Sequence, residues 1–127
     1  MILESLYREQ IMDHFKNPRN FGQLDSCSFK FVDQNPFCGD EIEIFVKVEN
    51  TKIADIKFTG KGCSISQASA SMLTEVVKGK TLAEVESMRR EDVVEMLGIP
   101  IGAVRTKCAV LSLVALKNGI AKFKKGE

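Results

Sequence analysis

Residues 41–58 read Glu41-Ile42-Glu43-Ile44-Phe45-Val46-Lys47-Val48-Glu49-Asn50-Thr51-Lys52-Ile53-Ala54-Asp55-Ile56-Lys57-Phe58. Ile42, Ile44, Val46 and Val48 alternate with Glu41, Glu43, Lys47 and Glu49, and Phe45 interrupts the polar side. After the Asn50-Thr51 link, Ala54, Ile56 and Phe58 alternate with Asp55 and Lys57. A period of two sends apolar side chains to one face of a strand and polar ones to the other, the pattern of a half-buried antiparallel sheet. Two such runs joined by a two-residue link read as a hairpin. Upstream, Phe29 and Phe31 alternate with Ser28 and Lys30 and supply a third strand.

Helical spacing dominates on either side. Leu3, Leu6, Tyr7, Ile11 and Phe15 predict a helix over residues 3–15, stopped at Asn17 because the residue before a proline avoids the helical region. Ile65, Ser69, Met72 and Val76 share a stripe that predicts a helix over residues 66–78, with Gly79 as its stop. Thr81-Leu82-Ala83-Glu84 is a capping box that opens a short helix. Residues 90–97 form another, ended by Gly98 and Pro100. A last helix is expected over residues 105–118, with Gly119 as its C-terminal cap. Strands grouped early and helices grouped late indicate an α+β fold, a small three-stranded antiparallel sheet with helices packed on one face.

The chain has 127 residues, the size of one domain over residues 1–127 with a core of its own. A net charge of +1 argues against nucleic acid or an anionic membrane as the main partner. The lysines at 117, 122, 124 and 125 read as a solvated helix end, where cations suit the negative pole of the helix dipole. No apolar run approaches the roughly 20 residues that span a bilayer. The first eight residues carry Glu4 and lack a signal-peptide pattern, so a cytoplasmic location is expected. In that compartment cysteines are reduced thiols, available for metal or sulfur chemistry.

Three of the four cysteines fall where the chain changes direction. Cys38 lies in Asn35-Pro36-Phe37-Cys38-Gly39-Asp40, between the first two strands. Cys63 lies in Gly60-Lys61-Gly62-Cys63-Ser64, between the third strand and a helix. Cys108 lies in Arg105-Thr106-Lys107-Cys108, in the expected opening turn of the last helix. Helix N-termini and nearby cations favour the thiolate, which is both nucleophile and metal ligand. Gly39, Gly60 and Gly62 leave room for backbone to approach a bound group. Asp40, two residues after Cys38, can turn its carboxylate to the same centre. Three thiolates and a carboxylate make a tetrahedral set for Zn²⁺ or a ligand set for a two-iron cluster. A carboxylate is a hard ligand and holds a soft cluster less firmly than a fourth thiolate, so such a site can release its load. The spacing is not a compact CxxC pair, and buried structural cysteines remain the competing reading. Cys27 has neither glycine nor cation beside it and reads as incidental. His14, the sole histidine, reads as a solvated residue on the first helix rather than a ligand.

Four stretches together resemble the IscU/SufU/NifU family of iron–sulfur cluster assembly proteins. They are Leu6-Tyr7-Arg8-Glu9-Gln10-Ile11-Met12-Asp13-His14-Phe15-Lys16-Asn17-Pro18-Arg19-Asn20, then Asn35-Pro36-Phe37-Cys38-Gly39-Asp40, then Gly60-Lys61-Gly62-Cys63-Ser64-Ile65-Ser66-Gln67-Ala68-Ser69-Ala70-Ser71, and finally Arg105-Thr106-Lys107-Cys108-Ala109. The resemblance implies a NifU N-terminal-domain-like fold. It implies that Cys38, Cys63 and Cys108 handle metal and sulfur, with Asp40 as the fourth ligand. It further implies a cysteine desulfurase as sulfur donor, docking near the first helix, and apo iron–sulfur proteins as acceptors. Homo-oligomer formation is left open.

The branch signatures are mixed. Lys107 stands where the IscU branch has histidine, and Arg105 and Lys107 match the SufU-like Arg-x-Lys-Cys pattern. The stretch Ile101-Gly102-Ala103-Val104-Arg105 replaces the chaperone-recognised Pro-Pro-Val-Lys segment of the IscU branch. Yet Cys63 and Cys108 are only 45 residues apart, without the insertion of SufU proteins. Two functions follow from the resemblance. One is a scaffold that receives sulfur, assembles a labile [2Fe-2S] cluster from iron and sulfide, and passes it on. The other is a zinc-dependent sulfur acceptor, a sulfurtransferase in which Cys108 attacks the desulfurase persulfide and Arg105 supports the thiolate. Whether the protein is itself an enzyme turns on that choice. A small structural zinc or electron-transfer protein is a third reading, set back by the lack of a fourth thiolate.

Overall fold

The β2 (Asp40–Glu49) and β3 (Lys52–Lys61) strands pair antiparallel across the expected two-residue turn. Asn50 and Thr51 take φ of 54° and 62°, the left-handed pair whose twist matches that of the strands. Strand β1 (Phe29–Asn35) pairs antiparallel with β2, giving the order β1-β2-β3. The computed structural model describes residues 2–36 and 39–126, apart from the side chains of residues 2 and 3.

The inward face of the sheet follows the alternation on β2. Ile42, Ile44 and Val46 are buried, and in register they meet Phe31 and Phe29 of β1 and Phe58 and Ile56 of β3. Burying each such aliphatic or aromatic side chain contributes about 1.5–3 kcal/mol. On β3 the expected pattern is wrong at one end. The register shifts between Lys47 and Val48, so Val48 faces Ile53 and Ala54 is the extra residue. Ile53 is therefore fully buried and Ala54 exposed, because a bulge inverts the face of every residue beyond it. Phe45, which breaks the polar side, is also buried, flanked in register by Lys30 and Lys57.

Among the described residues five helices follow or precede the sheet: α1 (Ile2–Lys16), α2 (Ser64–Val77), α3 (Leu82–Glu86), α4 (Arg90–Leu97) and α5 (Ala103–Lys124). Helices α2 and α5 pack on each other and on the inward sheet face, and α1 lies against α2. Every residue of α2 from Ile65 to Thr74 is buried, because the helix is covered from several sides. Its Ser66, Ala68, Ser69, Ala70 and Ser71 are small enough to permit that. At its last turn Val77 rather than Val76 faces inward, and Val76 is 41% exposed.

The terminal signals hold at α3 and α4. Thr81 and Glu84 form the reciprocal capping box, and Gly98 ends α4 with φ of 74°. Helix α5 departs from expectation at both ends. It starts at Ala103 and runs through Gly119 to Lys124. A Cβ on Gly119 would lie 2.8 Å from the Phe29 ring and 3.0 Å from Phe31 Cβ, so this glycine is a contact point between helix and sheet, not a cap. The basic tail is partly engaged: Lys117 donates to the Met88 carbonyl and Lys124 pairs with Glu86. No helix among the described residues is long and apolar enough to cross a membrane.

Candidate metal centre

The centre is built by register. Asp40 opens β2 immediately after Gly39, whose φ of 71° turns the chain. Glu41 pairs with Lys61 at the end of β3, which sets Asp40 beside the link into α2. Gly62, with φ of 138°, makes that link, and Cys63 is the N-cap residue of α2. Asp40 is only 1% exposed, and its Oδ1 accepts the Cys63 backbone N–H at 2.9 Å. The Cys63 Sγ lies 3.8 Å from Oδ2. A Cβ on Gly62 would fall 2.1 Å from Asp40 Oδ1, so no other residue leaves the carboxylate its place.

Cys108 arrives from the other side of the core. It sits in the second turn of α5 rather than the first, and it is 1% exposed. Asn35, paired in register with Asp40, donates its Nδ2–H to Cys108 Sγ at 3.6 Å. The ligand atoms of Asp40, Cys63 and Cys108 all lie within 4.8 Å of one another. Zn–S and Zn–O bonds of about 2.0–2.3 Å in a tetrahedron bring ligand atoms to roughly 3.5–3.8 Å, a contraction within reach of side-chain rotation. The chemistry of the donors fits. A buried carboxylate with one backbone donor is costly unless a further proton or cation meets it, and here a thiol already approaches its second oxygen. The predicted ligand Cys38 lies outside the described residues.

Arg105 and Lys107 are both exposed and point to different surroundings. Arg105 lines a cleft of about 320 Å³ with Arg8, Ile11, Ile65 and Ile101. Lys107 lines a separate cavity with Asp33, Asn35 and Arg90. Cys27 is half-buried and not among the converging ligands in the described residues.

His14 contradicts its reading as a solvated residue. It is 4% exposed, and its Nδ1 is hydrogen-bonded to Ser71 Oγ at 2.7 Å. The same hydroxyl accepts the Arg19 backbone N–H at 2.8 Å. Burial holds the imidazole below its ordinary pKa, with the Arg19 charge in the same direction and Glu75 and Asp13 opposing. The signal was present in the spacing. His14 is three residues from Ile11 and seven from Tyr7, on the face that packs, whereas Leu6 and Phe15 are 56% and 39% exposed. Asn35 was also not picked out as a site residue, although its place before Pro36 and opposite Asp40 puts it there.

A three-stranded sheet with helices on one face, bringing together a buried carboxylate at a strand start, a thiol at a helix N-cap and a thiol inside another helix, defines a small α+β domain suited to metal or sulfur chemistry. Residues 6–127 match the model of the NifU-like N terminal domain, and the chain belongs to that family. It is similar to the zinc-dependent sulfurtransferase SufU of Bacillus subtilis, at 40% identity over 98% of this chain and 95% of that protein. It is also similar to the iron-sulfur cluster assembly scaffold protein IscU of Haemophilus influenzae, at 38% identity over 93% of this chain and 95% of the relative. A solved nitrogen-fixing NifU-like protein (N-terminal) from Brucella abortus superposes with a TM-score of 0.80 over the whole of both chains, at 20% identity, which speaks for the fold.

Proposed function

We propose that this protein is an iron–sulfur cluster assembly scaffold. The observation that carries the reading is the convergence of Asp40, Cys63 and Cys108, from three separate elements, at one point. The substrates are ferrous iron and sulfur, and the product is a [2Fe-2S] cluster held by Cys38, Asp40, Cys63 and Cys108. A cysteine desulfurase supplies sulfur as a persulfide. A thiolate of this chain attacks its terminal sulfur, and the desulfurase thiolate leaves. Reducing that sulfur to sulfide takes two electrons from an external reductant. The cluster then passes to apo iron–sulfur proteins, and the hard Asp40 ligand makes the transfer easy. The protein works in the cytoplasm.

The test is anaerobic incubation with ferrous iron, cysteine, a reductant and a desulfurase. Charge-transfer absorption, acid-labile sulfide and activation of an apo-acceptor are expected. Their absence would remove the scaffold reading.

Arg105 and Lys107 in the Arg-x-Lys-Cys sequence, with the 40% identity to a zinc-dependent sulfurtransferase, favour a second reading. In it zinc is bound by the same four residues and keeps the thiols deprotonated. Cys108 accepts sulfur, and Arg105 lies three residues before it at the mouth of the neighbouring cleft. Stoichiometric zinc in protein as purified, together with stimulated desulfurase turnover, selects this reading. Iron and acid-labile sulfide select the first.

A further inference from the structure

A third cavity, of about 430 Å³, opens between α1, the last turns of α2, and α4. Glu75 lies twelve residues beyond Cys63 along α2, which puts this cavity about 18 Å from the cysteine end at 1.5 Å per residue. Its walls include His14, Glu75, Glu95 and Gln10, with the thioethers of Met72 and Met96, and no lysine or arginine. The only ion-pair partner of Glu75 among the described residues is His14, and Glu95 has none. His14 is 4% exposed, and its Nε2, which faces Glu75, makes no hydrogen bond among the described residues. The cavity thus holds two carboxylates with no lysine or arginine partner among the described residues and a fixed imidazole nitrogen.

We propose that this cavity is a divalent-cation site, separate from the cysteine centre, with His14 Nε2, Glu75 and Glu95 as its protein ligands. The imidazole is already oriented. With the proton on Nδ1, it donates to Ser71 Oγ, and the Nε2 lone pair points at the cavity. Metal-binding histidines are held in this way through the other ring nitrogen. Nε2 and Glu75 Oε1 stand 3.7 Å apart, too far for a direct hydrogen bond and slightly wide for two ligands of one ion. Both Glu75 and Glu95 are exposed, so turning the carboxylates inward is a change of rotamer. Arg19, whose charge acts on His14, is paired with Asp13. One imidazole, two carboxylates, an amide and water form a borderline-to-hard donor set, which takes Fe²⁺, Mn²⁺ or Zn²⁺ and leaves Cu⁺ to the thiols. If the scaffold reading holds, the ion is ferrous iron kept on the same domain as the assembly centre. Metal binding itself does not depend on that reading.

The probe is Mn²⁺, added to the tag-free, full chain. His14 is the sole histidine, so its ring signals in the proton spectrum are unambiguous. One saturable Mn²⁺ per chain is expected by electron paramagnetic resonance, with selective broadening of the His14 ring signals. Ferrous iron, added anaerobically, should displace it. Glu75→Gln with Glu95→Gln, both exposed, should weaken binding tenfold or more and abolish the broadening, with the far-ultraviolet spectrum unchanged. Cys63→Ser with Cys108→Ser should leave both in place, and if that variant fails to fold, the wild-type broadening locates the ion. Absence of saturable binding, or broadening that survives the double glutamine variant, would overturn the site. Neither outcome bears on cluster assembly, which is read by absorption and sulfide content.

Discussion

The Asp40 carboxylate takes the Cys63 backbone N–H at 2.9 Å through one oxygen and keeps the other 3.8 Å from the Cys63 sulfur. The backbone bond fixes where the carboxylate sits. The second oxygen is left to meet a proton or a metal. One residue therefore both caps the entry to α2 and serves the centre, so its removal has two separable effects.

Asp40→Ala should slow cluster release. Without the hard ligand, solvent or a softer donor completes the coordination, and the remaining thiolates hold the cluster more firmly. The lost bond to Cys63 N–H should cost about 1 kcal/mol of stability, moderated by the solvent access gained at the helix end. Transfer half-life to an apo-acceptor is the measurement. Unchanged transfer kinetics would show that Asp40 does not set lability.

Gly62→Ala tests the space around that carboxylate. Its φ of 138° and the 2.1 Å approach of a new Cβ to Asp40 Oδ1 both oppose the substitution. Gly22 supplies the control, since it has φ of 133° but nothing within 4 Å of a Cβ. Each variant should lose about 1–3 kcal/mol in urea denaturation from backbone strain. Only Gly62→Ala should also weaken metal binding at the centre, because only there must the carboxylate move. Equal metal affinity in the two variants would refute the cradle.

At Gly119, placing a Cβ sets two effects against each other. Alanine gains about 1 kcal/mol of helix propensity over glycine. The new Cβ, 2.8 Å from the Phe29 ring and 3.0 Å from Phe31 Cβ, brings overpacking of about 1–3 kcal/mol. Phe29 is further braced by Phe123, with ring centroids 5.2 Å apart, so it yields little. A net loss of stability by thermal denaturation is expected. A rise in Tm would mean that the ring moves aside.

The sheet was legible because period-two alternation and the Asn50-Thr51 turn are local signals. Ala54 was misplaced because a bulge is decided by the partner strand, which alternation within β3 does not see. Gly119 carried the local mark of a cap, yet its role is set by two phenylalanines some ninety residues earlier. At the centre, cysteine and glycine settings pointed to Cys38, Asp40, Cys63 and Cys108, and the ligand atoms of the last three lie within 4.8 Å of one another. Asn35 and His14 were missed as site residues for one reason. Each acts through a partner distant in sequence, Cys108 and Ser71; the spacing from Tyr7 and Ile11 marks His14 as inward-facing but does not name what it meets.

His14 makes stability depend on pH in metal-free buffer with a chelator present. Its pKa lies below the ordinary 6.5 in the fold, chiefly because burial disfavours the imidazolium, and secondarily because Arg19 is near. Glu75 and Asp13 oppose this without reversing it. Between the folded value and about 6.5 the unfolded chain holds a proton that the folded chain does not. Stability from this group is therefore full above about pH 6.5 and falls as the pH drops through the folded pKa. With the neutral ring's proton on Nδ1, acid adds the second proton at Nε2, which faces Glu75 Oε1 at 3.7 Å. The urea midpoint of wild type should drop between pH 8 and pH 5. His14→Gln, which keeps a polar group but does not titrate, should be less stable at pH 8 and show a shallower drop. Parallel midpoint curves for the two proteins would mean that folding does not disfavour the charged form of His14 and that the carboxylates alone set the acid limb.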